Sequence, residues 1–212
     1  ASLDEIADYG EVLVSAVPSQ VVRSVLDKFP SGWKKPVVSV SKGIENNTGM
    51  RMSQVIIETL HLTIEEIVIL SGPSHAEEVS QKYPTTVVAA CADINHARDV
   101  QKLFSNDYFR VYSGNDVIGV EIGGAAKNII ALAAGICHGL GYGDNTMAAL
   151  VTRGLEEIIR LGTTLGAERA TFSGLSGMGD LIVTAFSPHS RNRQVGERIG
   201  KGEKLSDILA GM

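Results

Sequence analysis

Cysteine, aromatic residues and positive charge are all scarce in this chain, and each scarcity excludes something. Only Cys91 and Cys137 occur in 212 residues, far apart and outside any CxxC. Neither a disulfide framework nor a thiolate zinc site is therefore expected, and a reducing compartment fits. The five histidines, His61, His75, His96, His138 and His189, show no HExxH or comparable spacing, so no metal is expected. Aromatics make up 5%, too few for base-stacking platforms. A net charge of −5 opposes non-specific nucleic-acid binding, so no nucleic-acid partner is expected, though a local basic pocket is compatible with it. The opening ASLDEIADYGEVLV is acidic where a signal peptide needs cations. The most apolar stretch, Ile122 to Leu140, contains Lys127, Asn128 and His138, which argues against a membrane span. A cytoplasmic protein is expected.

What is present reads as a globular chain, with 44% hydrophobic and 20% charged residues. The 23 glycines follow no three-residue period, so they mark turns and close backbone approaches rather than collagen. Short apolar runs at Val12–Val17, Val37–Val40, Ile67–Leu70, Thr85–Cys91 and Phe109–Tyr112 read as strands. Helical patterns separate them: Gln20–Lys28 capped by Ser19, Met50–Leu60, a helix starting at Ser74 with the capping-box pattern Ser74 to Glu77, and one capped by Asp93. Strands alternating with helices predict a largely parallel, doubly wound α/β sheet. After Asp116 the strand signal disappears. Long helices are predicted over Asp116–His138 and Asn145–Leu165, with shorter pieces at Arg191–Gly200 and Leu205–Leu209. The expected domains are residues 1–118, part of a dinucleotide-binding domain, and residues 119–212, a helical substrate-binding and catalytic domain.

Chemistry is expected where the strands end, because ligands bind outside the carboxyl ends of open parallel sheets. Val17-Pro18-Ser19, Ser41-Lys42-Gly43 and Ser71-Gly72-Pro73-Ser74 occupy such places. Read alone, Lys42 fits a surface turn as well as a crevice, and Gly72 and Ser74 fit an ordinary helix start as well as an anion site. Lys127 is sharper. Small and apolar residues flank it in Gly123–Gly135, so its helix reads as buried all round. Burial lowers a lysine's pKa and suits it to acid–base work near neutral pH. Asp180, in Ser176-Gly-Met-Gly-Asp180, could hold such a lysine or simply cap a helix, and Thr184 shares its face if a helix begins there. Ser190-Arg191-Asn192-Arg193 combines hydroxyl, guanidinium and amide groups that suit phosphate, or a solvated helix start.

Taken together, VSAVPSQ, SVSKGIE, LSGPSHAEEV, GVEIGGAAKNIIALAAGI, GLSGMGDLIVT and SRNRQVG resemble, in order and approximate spacing, the NAD(P)-dependent glycerol-3-phosphate dehydrogenases of the bacterial and plastid type. The resemblance covers nearly the whole chain. It implies a Rossmann-type sheet followed by an all-α domain. It also implies reversible conversion of dihydroxyacetone phosphate to sn-glycerol 3-phosphate with NAD or NADP, feeding glycerophospholipid synthesis. By position, it makes Lys127 the proton acceptor at the C2 hydroxyl, supported by Asp180. It makes Lys42, Gly72, Ser74, Asn128, Asp180, Thr184, Ser190, Arg191 and Asn192 substrate-binding residues, and Pro18, Lys42, Ala76 and Arg191 cofactor contacts. The implied partner is a small phosphorylated molecule, and the Gly- and Ala-rich helices offer surfaces for a homodimer.

The family's N-terminal GxGxxG strand–turn–helix is not among these residues, and neither is the family's C-terminal end. The chain is therefore expected to be an interior piece that binds cofactor poorly by itself, within a parent protein that is active. The alternatives are a related lysine-dependent dehydrogenase of hydroxyacids or phosphorylated alcohols, and a catalytically incompetent fragment acting as a binding module.

Overall fold

The computed structural model describes residues 2–211. The first half is a layered α/β unit. Its elements run α1 (Leu3–Tyr9), β1 (Leu13–Ser15), α2 (Val22–Leu26), β2 (Val37–Ser39), α3 (Met52–Leu60), β3 (Ile67–Ser71), α4 (Ala76–Ser80), β4 (Thr85–Ala90), α5 (Ile94–Phe104) and β5 (Phe109–Gly114). The strands lie in sequence order. β1, β2 and β3 are parallel, β4 runs antiparallel to β3, and β5 is parallel to β4. Every residue of β2 and β3 is buried, as continuous Val/Ile runs covered on both faces should be.

Alternate residues of the strands feed two cores, because successive side chains point to opposite faces. Val37, Ile67 and Ile69 meet Val22, Leu26, Phe29, Trp33, Met52, Val55 and Ile56 on one side. Val38, Val68, Leu70, Val87 and Val111 meet Ala97 and Val100 of α5 on the other.

The second half is helical: α6 (Val117–Gly139), α7 (Asp144–Thr164), α8 (Asp180–Phe186), α9 (Arg191–Gly200) and α10 (Leu205–Ala210). Asp116 caps α6, accepting from the Gly119 N–H at 2.8 Å. Its other oxygen accepts from Glu168 N and Thr171 Oγ1, which ties the α7–α8 connection to the start of α6. α6 is long and apolar enough to cross a bilayer, but here it is the central packing helix, contacting α7, α8 and α9. Ile122 joins Leu155, Ile158, Ile159, Phe172 and Leu181 in a third core. α6 and α9 run side by side in the same direction and touch backbone to backbone. A Cβ on Gly135 would collide with the carbonyl of Arg193, and one on Gly196 with the carbonyl of Leu132.

Several expectations change. The helix after β3 starts at Ala76, with His75 rather than Ser74 at its cap. The Ser74 hydroxyl instead donates to the Gly72 carbonyl at 3.1 Å, a local turn that competes with capping. Ser19 opens a 3₁₀ turn over Ser19–Val21 without a capping bond, so the helix expected over Gln20–Lys28 shortens to α2. α6 is not buried all round, since Ile129 is 71% exposed. α1, capped by a Ser2–Glu5 box, and a π-helical turn over Leu175–Gly179 add to the expected elements.

Candidate active site

The site lies where the carboxyl ends of β2 and β3 face α6 and the start of α8. Beyond β3 the chain turns at Gly72, whose φ is +149° and where a Cβ would stand 2.9 Å from Val87 Cα. Both demands favour glycine there. That turn presents the Gly72 carbonyl to Lys42 Nζ at 2.9 Å.

Lys127 projects from the middle of α6. Its Nζ donates to Asp180 Oδ1 at 2.5 Å, and Lys42 Nζ donates to Asp180 Oδ2 at 2.8 Å. One carboxylate thus bridges two ammonium groups. Asp180 is 1% exposed and Lys127 7%. The Lys42 side chain keeps 24% of its surface and can reach a ligand. Burial first and the Lys42 charge second push the Lys127 pKa down to about 8, against the opposing pull of Asp180. Lys127 can therefore hold or release a proton near neutral pH.

Asp180 is the first residue of α8, yet its side chain turns to the lysines instead of capping the helix. The π-helical turn before it is glycine-rich where it meets its neighbours. Gly177 packs on the Phe172 backbone, and Gly123 of α6 packs on the Ser176 carbonyl. π turns recur at functional sites because they re-aim the residue that follows. Thr184 Oγ1 donates to the Asp180 carbonyl at 2.6 Å, one helical turn back, so the two do share a face.

The remaining sequence-selected residues surround this cluster less directly. Asn128 is half-buried beside Lys127. Ser190 is buried and caps α9, accepting from Arg193 N at 3.3 Å. Arg191 and Asn192 are exposed on the first turn of α9. Neither has an ion pair or side-chain hydrogen bond among the described residues. The rings of His75 and His189, 6.0 Å apart, bring the segment holding Ser74 and Ala76 against the segment holding Ser190 and Arg191. Pro18 is exposed after β1, and Ala76 is exposed on α4.

Sequence reasoning missed a buried carboxylate. Glu121, 7% exposed on α6, accepts from Ser53 N and Ser53 Oγ, both at 2.7 Å, and from Arg51 Nη1 at 2.5 Å. Burial raises its pKa, while Ser53 and Arg51 pull it back. The signal was there: a charged residue in an apolar helical run, the criterion that singled out Lys127.

Comparison with known proteins supplies the context. The family model described as NAD-dependent glycerol-3-phosphate dehydrogenase N-terminus matches residues 1–97, and the corresponding C-terminus model matches residues 116–212. A protein of Lysinibacillus sphaericus named glycerol-3-phosphate dehydrogenase [NAD(P)+] is 55% identical over 99% of this chain and 63% of its own length. A protein of the same name from Chlorobium chlorochromatii is 54% identical over 100% of this chain and 65% of its own. The crystal structure of glycerol-3-phosphate dehydrogenase from Coxiella burnetii superposes with a TM-score of 0.92 at 32% identity, covering 100% of this chain and 65% of that one. The chain thus spans 63–65% of the length of these relatives.

Proposed function

This chain belongs to the NAD-dependent glycerol-3-phosphate dehydrogenase family, and from that premise we propose that it forms the catalytic part of a protein interconverting dihydroxyacetone phosphate and sn-glycerol 3-phosphate. The observation that carries the reading is the buried Lys127–Asp180–Lys42 cluster at the strand ends. In the reducing direction, protonated Lys127 donates a proton to the C2 oxygen as the ketone becomes an alcohol. In the oxidising direction, neutral Lys127 accepts that proton. Asp180 holds both lysines in place and stabilises their charge. Lys42, more exposed than Lys127, orients the substrate with the Gly72–Ser74 turn. Ser190, Arg191 and Asn192 bind the phosphate end, where a guanidinium can pair bidentately. Asn128 and Thr184 complete the polar wall.

NAD or NADP supplies or takes up the hydride. The residues present fit a nicotinamide at the edge of this site. Exposed Pro18 and Ala76 and the partly exposed Lys42 follow three adjacent parallel strands, the place where open α/β sheets bind such groups. Pro18, Lys42, Ala76 and Arg191 are the residues that would hold it. We further place the protein in the cytoplasm, supplying glycerophospholipid synthesis, as a homodimer. Residues 1–118 and 119–212 serve as its cofactor and substrate units.

The test is oxidation of NADH and of NADPH by the expressed protein, with and without dihydroxyacetone phosphate, using this chain and a longer one extended to the length of the relatives. Substrate-dependent oxidation by the longer protein is expected. Its failure to oxidise either cofactor would overturn the reading.

A further inference from the structure

Beneath Lys42 lies a cavity of about 10 Å³, lined among others by Ser41, Lys42, Ser71, Val120, Glu121 and Gly124. Gly124 leaves this space open: a Cβ there would stand 3.0 Å from Ser71 Oγ and 3.5 Å from Lys42 Cγ. Ser71 is 3% exposed, and its hydroxyl has no hydrogen-bond partner among the described residues. A buried hydroxyl without a partner is costly, so such groups normally find one. Glu121 is nearly saturated. Its Oε2 accepts from Ser53 Oγ and Arg51 Nη1, while its Oε1 accepts only from Ser53 N. A carboxylate oxygen takes about two hydrogen bonds, so Oε1 has one acceptor position left. Both the hydroxyl and the carboxylate belong to residues lining this space, which is about the size one water needs.

We propose that this cavity binds a single water bridging Ser71 Oγ and Glu121 Oε1, and that Glu121 acts through it as a positioning residue for Lys42. The bridge joins the end of β3 to α6 directly behind the Lys42 stem. On its far side Glu121 is anchored by Arg51 and Ser53 at the start of α3, so the wall under Lys42 is fixed from two directions. The charged groups that act on Lys127 are Asp180 from α8 and Lys42 after β2. Lys42 is held in front by Asp180 and the Gly72 carbonyl, and from behind by this bridge.

The test combines a crystal structure at about 1.5 Å, where ordered waters are visible, with per-lysine acetylation rates followed by mass spectrometry from pH 6 to 10. In the unaltered protein, one density peak within hydrogen-bond distance of both Ser71 Oγ and Glu121 Oε1 is expected. In S71A and E121Q, Lys42 should be acetylated at least about twofold faster, the lower end for one lost hydrogen bond. Surface lysines such as Lys82 and Lys204 should keep their rates. A merely structural loss would raise all lysines together. An empty cavity, unchanged Lys42 labelling in folded S71A, or a uniform rise would each overturn the proposal. S71A removes one oxygen and decides the matter if E121Q does not fold. Neither readout needs turnover, so this result stands apart from the dehydrogenase reading.

Discussion

Lys42 and Lys127 bind opposite oxygens of one carboxylate, Asp180, at 2.8 and 2.5 Å, although 85 residues of sequence separate the two lysines. One negative charge therefore compensates two positive ones in a nearly dry site. Removing it leaves like charges facing each other without a counter-ion. In D180N the Lys127 pKa should fall below about 8, because burial and the Lys42 charge would remain while the negative charge that opposes them is gone. Breaking a buried pair in this way costs about 3–5 kcal/mol. The pH profile of Lys127 acetylation and the denaturant midpoint read the two effects. An unmoved profile would mean that Asp180 does not govern Lys127.

Lys127→Ala, made in a protein of the relatives' full length, should lower turnover by about 10²–10⁴-fold, the usual contribution of a general acid–base group. Cofactor affinity, measured by NADH fluorescence, should stay nearly unchanged. Activity within twofold of the unaltered protein would sink the assignment.

The pH dependence has a definite sign. With Lys127 titrating near 8, oxidation of the alcohol needs the neutral amine and should rise as pH passes through 8. Reduction of the ketone needs the ammonium and should fall over the same range. The unfolded value is 10.5, so between about 8 and 10.5 the unfolded chain binds the extra proton. This group's contribution to stability therefore increases with pH across that window. Rate profiles in both directions check the first statement. Denaturant midpoints of the unaltered protein against K127M check the second.

Arg191→Ala should chiefly weaken substrate affinity. Arg191 is exposed and has no ion pair among the described residues, so stability should change by less than about 0.5 kcal/mol. KM for dihydroxyacetone phosphate should rise while cofactor binding and the thermal midpoint hold. An unchanged KM would argue against a phosphate role.

Gly196→Ala should destabilise the fold by about 1–3 kcal/mol, because its Cβ would enter the backbone of α6 at the Leu132 carbonyl and either helix must move. Gly114→Ala is the control. Its Cβ would meet only Val88 Cγ1 at an ordinary 3.7 Å. Chemical denaturation of the two variants should separate them clearly.

Local sequence pattern sufficed for much of this protein. The apolar runs of β2 and β3 could be read as buried strands because a strand covered on both faces needs no polar alternation. Asp116 could be read as the cap of α6, because a short acidic side chain before a long apolar run satisfies the first free N–H groups wherever the helix packs. Lys127 stood out because a lysine surrounded by Gly and Ala needs a partner. Chain order alone could not decide which partner. Asp180 reaches both lysines only because a π-helical turn, seated on α6 through glycines, aims it there. Ser74 looked like a helix cap until the Gly72 turn claimed its hydroxyl. Glu121 went unread in the sequence, because its partners Arg51 and Ser53 lie about 70 residues away and only packing brings them to it. The Asp93 and Asp116 caps and the apolar strand runs depend on neighbours a few residues away, so the sequence by itself determined them, whereas the ends expected at Ser19 and Ser74 were reset by the surrounding turns. The shared carboxylate and the backbone contact of α6 with α9 depend on groups tens of residues apart, and only tertiary packing decides those distances.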